Sequence, residues 1–152
     1  RRQRQMCIRD RIFVILPNLP GSGINGATKK IGQNVMLMVN DRRFYSDTFW
    51  FTLFHEIGHI INGDYGITFE NEHAGQEDVA DKYAEDKLIP PGEYEAFVKM
   101  NEFSENAIRR FAERIDRDPG IVLGRLQNDQ IVPFTNVALS KALKHKYKVI
   151  TS

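Results

Sequence analysis

The sequence lacks cysteine apart from Cys7, so no disulfide bond can form within its 152 residues. A chain without a disulfide framework is typical of a reducing compartment, and we expect a cytoplasmic protein. No apolar run approaches the roughly 20 residues that cross a bilayer. The basic stretch at the start is not followed by the apolar segment of a signal peptide. The sequence therefore predicts neither a secreted disulfide-rich domain nor a membrane protein.

An excess of charge of one sign is also absent, since 21 Lys and Arg residues are balanced by 20 Asp and Glu residues. A nearly neutral chain has no general attraction for nucleic acid or for an acidic membrane, and we expect neither as a direct partner. Hydrophobic residues make up 41% and charged residues 27% of the sequence, the balance of an ordinary globular domain. We predict one domain over residues 1–152, with a basic arm at residues 1–11.

Strand patterns come first along the chain, and helix patterns follow them. The apolar stretches Ile12–Pro17 and Asn34–Asp41 predict strands, and residues 24–30 are a weaker third candidate. Their closeness in sequence favours a small antiparallel sheet of about three strands within residues 12–45. Helices are predicted at 46–61, at 76–88, from Pro91, after a cap at Ser104, at 119–126 and at 135–146. Residues 46–91 and 92–152 are thus helical, and the predicted fold class is α+β, a small sheet followed by a helical bundle.

Two histidines lie four residues apart in the apolar stretch Phe51–Gly63. On an α-helix this spacing is about 40° of rotation and about 6 Å of rise, so His55 and His59 leave the same face and can share one zinc ion. Glu56 points about 100° away, where it can reach a water on the metal. A bulky residue in place of Gly58 would crowd whatever packs over that face. A buried helix with two chance histidines is disfavoured, because unpartnered buried imidazoles are costly.

A third protein ligand has to come from another segment. The metalloprotease pattern with three histidines needs its third at position 65, where this sequence has Tyr65. The remaining candidates after the motif are Glu70, Glu72, His73 and Glu77. Glu77 is favoured because it opens a helical stretch, and a helix holds a ligand more rigidly than a loop. Glu72 and His73 remain alternatives. Asp81 follows on the same helical face, where its carboxylate can accept the free N–H of a ligating histidine.

The two helical motifs together resemble those of a known family. "FTLFHEIGHIING" followed by "QEDVADKYAEDKLIP" is similar to the ImmA/IrrE family of intracellular bacterial metallopeptidases. The second family pattern is matched by Glu77, Ala80, Asp81, Tyr83, Ala84, Leu88 and Pro90. Ile89 stands where the family more often has Met, and Lys87 where it more often has Leu. The segments "GINGA", "NVMLMVNDRR" and "FAERIDRDPGIVLGRLQND" extend the likeness to about residues 10–130.

The resemblance implies a gluzincin-like (zincin) endopeptidase that cleaves a protein, in this family typically a DNA-binding repressor of stress, phage or mobile-element functions. Together with the residue analysis, it predicts one zinc ion per chain, held by His55, His59 and Glu77. Glu56 would act as the general base. Tyr65 or His73 is a candidate donor to the oxyanion, although an ordinary loop role is the alternative for both.

Three further interpretations remain open in the sequence. The stretch "VMLMV" could be an edge strand that receives an extended substrate, or it could serve the core alone. The metal site could belong to a regulatory protein without proteolytic activity, although a structural site has no need of Glu56. The segment Ser104–Asp129 reads as helix, turn, helix, so a DNA-binding module is the least favoured function, with Arg125 as the base-reading cation of its second helix.

Overall fold

A computed structural model describes residues 11–16, 23–40, 45–69 and 75–146 of the chain. The strands in these ranges are β1 (Arg11–Leu16), β2 (Ile24–Ile31), β3 (Asn34–Asn40) and β4 (Ile67–Phe69). The helices are α1 (Ser46–Asn62), α2 (Gly75–Leu88), α3 (Pro91–Lys99), α4 (Glu105–Arg114), α5 (Pro119–Asn128) and α6 (Val137–Leu143). The predicted α+β class is confirmed. Across the described ranges, no helix has both the length and the apolar character that a membrane span needs.

The four described strands form one sheet in the order β1-β3-β2-β4. A two-residue turn joins β2 to β3, with Ile31 paired to Asn34. Gly32 has a φ of 62° in this turn, as the first central residue of a type II′ hairpin requires. β1 pairs with β3 in parallel, and β4 pairs with β2 in antiparallel orientation.

The prediction of a small antiparallel sheet of about three strands is correct for the pairing of β2 with β3 and wrong for β1, which pairs with β3 in parallel. The hairpin inserts β3 between β1 and β2, and β3 pairs with β1 in parallel because the two strands run in the same direction. A fourth strand, β4, lies between α1 and α2, where the sequence predicts neither a strand nor a helix. Three residues are too few for strand periodicity to be recognised, and this strand depends on its pairing with β2.

The first two helices begin and end close to their predicted limits. α1 runs from Ser46 to Asn62, and Gly63 follows it with a φ of 79°, a conformation that favours glycine at a helix end. α2 ends at Leu88, before the two prolines that cannot continue a helix. These two helices carry the residues for which the sequence predicts a metal site.

The chain divides into two compact units. The first comprises residues 1–42 and 52–84, and the second comprises residues 43–51 and 85–150. The described sheet, residues 52–62 of α1 and residues 75–84 of α2 belong to the first unit. Each unit is compact in its own right, and the single domain predicted over residues 1–152 stays a prediction.

The second unit contains the helices from α3 onward, and local caps define two of them. The Ser104 side chain accepts a hydrogen bond from the Ala107 N–H at the start of α4. The Asp118 side chain accepts one from Gly120 at the start of α5. The cap at Ser104 was predicted. The core of this unit includes Ile108, Phe111, Val122, Leu123, Leu126 and Leu143.

The last helix is shorter than the predicted range of 135–146. α6 starts after Asn136, whose side chain accepts a hydrogen bond from the Leu139 N–H. It stops at Leu143, because Lys144 has an extended conformation and the next two residues pair with the start of α1. The His145 carbonyl accepts a hydrogen bond from the Ser46 N–H at 3.0 Å. Long-range pairing of this kind overrides the helical pattern of the sequence.

Candidate metal centre

The His-Glu-x-x-His segment lies in the buried part of α1. His55, Glu56 and His59 are 5%, 0% and 6% exposed. Large apolar residues on both sides of the segment make this helix suitable for burial on most of its faces. Three ionisable side chains at such positions need specific surroundings, because burying a charged or polar group is otherwise unfavourable.

The two imidazoles converge on one point. The Nε2 atoms of His55 and His59 lie 3.0 Å apart, and the two rings are nearly perpendicular, with an interplanar angle of 78°. Two nitrogen ligands of one tetrahedral zinc ion, with bonds of about 2.0–2.1 Å, are separated by roughly 3.4 Å. The observed separation is close to this value, so the pair is suited to share one metal ion.

Asp81 of α2 fixes the orientation of the first histidine. Its Oδ1 lies 2.7 Å from Nδ1 of His55, and the side chains are 40% and 7% exposed. A carboxylate accepts in this bond, and in a neutral imidazole a proton on Nδ1 leaves the lone pair of Nε2 on the side of His59. The contact is of the carboxylate–histidine type that holds metal ligands in proteins. The sequence proposed this role for Asp81 without indicating which histidine it would contact.

A close helix crossing allows this contact. A Cβ atom added to Gly58 would lie 3.0 Å from Cα and 3.3 Å from Cβ of Ala80. The glycine therefore lets the backbone of α2 approach α1 directly beside the histidines. Ala80 precedes Asp81, so the crossing and the hydrogen bond to His55 belong to the same part of α2. The sequence predicts that a bulky side chain in place of Gly58 would crowd its surroundings, and Ala80 is the residue that packs there.

Strand β2 borders the carboxylate of Glu56. A Cβ atom added to Gly26 would lie 2.6 Å from Cδ and 2.7 Å from Cγ of Glu56, well inside van der Waals contact. The pairing of β2 with β4 shifts register between Ile24 and Gly26, as at a β-bulge. Bulges recur beside active sites, where they redirect the backbone. Sequence analysis did not identify Gly26 as a site residue, although a lone glycine inside a strand pattern indicates a close backbone approach.

Glu77, the predicted third ligand, lies on α2, one helical turn before Asp81. The described part of the structure includes its backbone but not its side chain. The alternatives Glu72 and His73 lie outside the described residues, as does Glu70. In the part of the chain with described side chains, no group of three His, Cys, Asp or Glu residues suited to a metal is present. The assignment of the third ligand to Glu77 therefore stays a prediction.

Tyr65, one of the two candidate oxyanion donors, is 40% exposed and lies between α1 and β4. Its neighbour Gly66 is attached to β2, since the Gly66 carbonyl accepts a hydrogen bond from the Thr28 N–H at 2.8 Å. The Gly66 N–H donates to the Thr28 hydroxyl at 3.4 Å. The segment that carries Tyr65 is thus fixed to the strand that borders Glu56. His73, the other candidate, lies outside the described residues.

The edge-strand interpretation of "VMLMV" is wrong. These residues belong to β3, which pairs with β1 on one side and with β2 on the other. The backbone groups of a strand with two partners are already used, so β3 cannot add an extended peptide. Among the described strands, β1 and β4 form the edges of the sheet.

Comparison with known proteins gives no assignment for this chain. No family model matches the sequence, and no curated protein matches it significantly.

Proposed function

We propose that this chain is a cytoplasmic, zinc-dependent endopeptidase of the kind that the ImmA/IrrE resemblance implies. Its substrate would be a protein, in particular a DNA-binding transcriptional repressor. One zinc ion per chain would be held by His55, His59 and Glu77, with Glu56 as the general base. This proposal accounts for three ionisable residues in the buried part of one helix.

The observation that carries the proposal is the arrangement of the two histidines and their carboxylate partner. The Nε2 atoms of His55 and His59 are 3.0 Å apart, and Asp81 contacts the opposite ring nitrogen of His55 at 2.7 Å. Two imidazole nitrogens that converge in this way are suited to zinc, for which histidine nitrogen is a usual ligand. A third ligand from α2 would complete the protein part of an open, catalytic type of site.

Zinc bound at these residues would supply a Lewis acid that polarises a carbonyl group and makes water more acidic. The protein must then move a proton. Glu56 is suited to accept it from the attacking water and to pass it to the leaving amine. Complete burial of its side chain and the contact with the backbone of Gly26 restrict where this carboxylate can lie. Tyr65, on the segment fixed to β2, is a candidate donor to the developing negative charge.

The first alternative is a zinc-binding regulator that cleaves nothing. A site that only needs to hold metal has no use for a fully buried carboxylate directly after its first histidine. Burial of a carboxyl group is unfavourable unless the surroundings compensate it, so the buried position of Glu56 favours a catalytic role.

DNA binding through the helix-turn-helix segment is the second alternative, and it depends on Arg125. This guanidinium contacts Glu85 at 3.0 Å and Asp129 at 2.8 Å, and its side chain is 19% exposed. Burial lowers the pKa of Arg125, but the hydrogen bond to Asp129 and the charge of Glu85 outweigh burial and raise it. Burial also raises the pKa of Tyr94, whose hydroxyl donates to Asp129 at 2.6 Å. Arg125 is thus engaged within its own unit, which weakens this alternative.

Zinc content and cleavage should respond differently to three substitutions. His55→Ala should remove zinc, because it deletes one ligand of the pair. Asp81→Asn should retain zinc with about 10- to 100-fold weaker affinity, as changes to the partner of a ligating histidine do. Glu56→Gln should bind zinc like the parent but cleave at least ~100-fold more slowly, because an amide cannot act as a base. Elemental analysis and a cleavage assay on a repressor encoded beside this gene measure the two quantities.

The comparison of parent and Glu56→Gln must be made at equal zinc occupancy. Glu95→Gln, an exposed exchange on α3, serves as the matched control and should change neither zinc content nor cleavage. Equal cleavage by the parent and Glu56→Gln would exclude Glu56 as the base. Full zinc content in His55→Ala would exclude the metal site itself.

A further inference from the structure

The second unit contains a cavity of about 210 Å³ that the proposed metal chemistry does not use. Phe51 near the middle of α1, Leu88 at the end of α2 and Ile121 on α5 form its apolar walls, and Phe134 lies at its exposed side. An engineered apolar cavity of roughly 150 Å³ binds benzene. The space in the second unit is therefore large enough for a compound with one substituted ring.

The polar walls of the cavity carry balanced charge. Lys144 contacts Asp47 at 2.8 Å, and Arg125 contacts Glu85 at 3.0 Å. All four side chains line the cavity, and none is more than 19% exposed. An ionic ligand would have to compete with one of these pairs, and separating a largely buried pair is unfavourable. The walls therefore favour an uncharged ligand.

Asp47 also lines the cavity, and its two carboxylate oxygens differ in their contacts. Its Oδ2 atom is paired with Lys144, whereas Oδ1 is buried and has no hydrogen-bond partner in the described part of the chain. A Cβ atom added to Gly124 would lie 2.9 Å from Oδ2, so this glycine leaves space for the carboxylate. A buried acceptor without a partner is destabilising, and a donor on a bound molecule would remove that penalty.

From these features we infer that the second unit binds a small, neutral ring compound that carries one O–H or N–H donor. The ring would occupy the space between Phe51, Leu88 and Ile121, and the donor would bond to Asp47. The inference concerns a site separate from His55 and His59 and requires neither zinc nor cleavage. Phenol is the simplest probe, toluene has the same size without the donor, and benzoate adds a negative charge.

Titration of the full chain with each probe, followed by NMR chemical shifts, tests the site. Phenol should saturate with a dissociation constant below about 1 mM, within the usual affinity range of so small a ligand. Toluene should bind about 10-fold more weakly, because it cannot hydrogen-bond to a charged acceptor. Benzoate should be weaker than phenol for the electrostatic reason given above. The shifts should be largest at residues that line the cavity.

Two substitutions that fill the cavity from different sides test its location. Ile121→Phe and Thr48→Phe should each weaken phenol binding at least ~10-fold, because both residues line the space. Met100→Phe is the matched control, since Met100 is 60% exposed in the same unit and should leave binding unchanged. A thermal unfolding curve for each variant verifies that it is folded.

Three results would overturn the inference. Phenol binding that does not saturate by about 10 mM would exclude the site, since so weak an interaction is non-specific. Parent-like binding by both folded filling variants would place the ligand elsewhere. Toluene binding as tight as phenol binding would exclude the donor contact with Asp47. None of these outcomes bears on zinc or cleavage, so failure here is distinct from failure of the proposed endopeptidase.

Discussion

At the scale of single residues, Gly26 of β2 leaves free the space that the side chain of Glu56 occupies. A methyl group at position 26 would lie 2.7 Å from Cγ of Glu56, so Gly26→Ala must displace that side chain. We expect a loss of about 1–3 kcal/mol in the free energy of unfolding, as for other overpacked positions. The proposed cleavage should fall at least ~10-fold at unchanged zinc content, because the histidines do not move. Denaturant unfolding, elemental analysis and the cleavage assay measure these effects.

A double-mutant cycle identifies the cause. In a Glu56→Ala background the space beside residue 26 is open, so Gly26→Ala should destabilise the protein much less than it does in the parent. If the two substitutions are additive in the free energy of unfolding, the close contact is not what makes glycine necessary at this position.

The residues of the candidate site differ in how far the sequence could predict them. His55, Glu56 and His59 form a pattern on one helix, so their spacing alone fixes their relative directions. Asp81 could be proposed from helical spacing, but its choice of His55 depends on how α1 and α2 cross. Gly26 is required by the side chain of Glu56, 30 positions later in the sequence. No pattern in the residues around Gly26 indicates this contact. A site residue can therefore be predicted where the interaction that requires it lies within its own helix or strand, and not where that interaction comes from a distant segment.

At the scale of secondary-structure elements, the crossing of α1 and α2 sets the position of Asp81. Gly58→Ala would place a methyl group 3.0 Å from the backbone of Ala80, which must move away. Alanine favours a helix over glycine by roughly 1 kcal/mol, but overpacking costs about 1–3 kcal/mol. We expect a net destabilisation, together with weaker zinc affinity because the contact between Asp81 and His55 lengthens. Denaturant unfolding and a competitive zinc titration measure both.

Gly92 provides the matched control for this substitution. It lies on α3, and a Cβ atom added there would meet no atom within 4 Å. Gly92→Ala should therefore stabilise the protein by up to about 1 kcal/mol and leave zinc affinity unchanged. If Gly58→Ala stabilises the protein as Gly92→Ala does, the two helices do not need glycine at their crossing.

Elements with local signals were the ones predicted most closely. Ser104 caps α4 and Asp118 caps α5. Gly63 follows the end of α1, and two prolines follow the end of α2. The errors concern β4 and the end of α6, which depend on pairing with distant segments. A cap is encoded within a few residues, whereas a strand partner or a terminating contact is selected during folding of the whole chain.

At the scale of the whole molecule, the strand order predicts unequal stability within the sheet. β2 and β3 are joined by a two-residue turn, whereas β1 pairs at the sheet edge with the more distant β3. Ile12 and Phe13 of β1 are 42% and 50% exposed, so these two side chains bury little apolar surface. We expect the amides of β1 that bond to β3 to exchange with solvent at least ~10-fold faster than those between β2 and β3. Hydrogen exchange followed by NMR measures this ratio.

Equal protection of the β1 and β2 amides would contradict this expectation, because it would mean that the three strands open together as one unit. The α+β class does not depend on the outcome. The fold class was predictable because the sequence places strand patterns before helix patterns. The order of strands in the sheet was not, because an alternation of apolar and polar residues indicates a strand but not the strand with which it pairs.

The insertion of β3 between β1 and β2 also determines the timing of assembly on the ribosome. Translation releases β1 first, but its partner in the sheet is the third strand to be made. The nascent β1 segment must therefore remain unpaired until the β2–β3 hairpin has emerged and closed, a step that takes microseconds once both strands are free. During this interval the backbone groups and apolar side chains of β1 are open to other contacts. The rate at which the ribosome synthesises residues 17–40 sets the length of this interval. Codon choice in that stretch, or a chaperone that covers β1, would therefore affect the yield of folded protein.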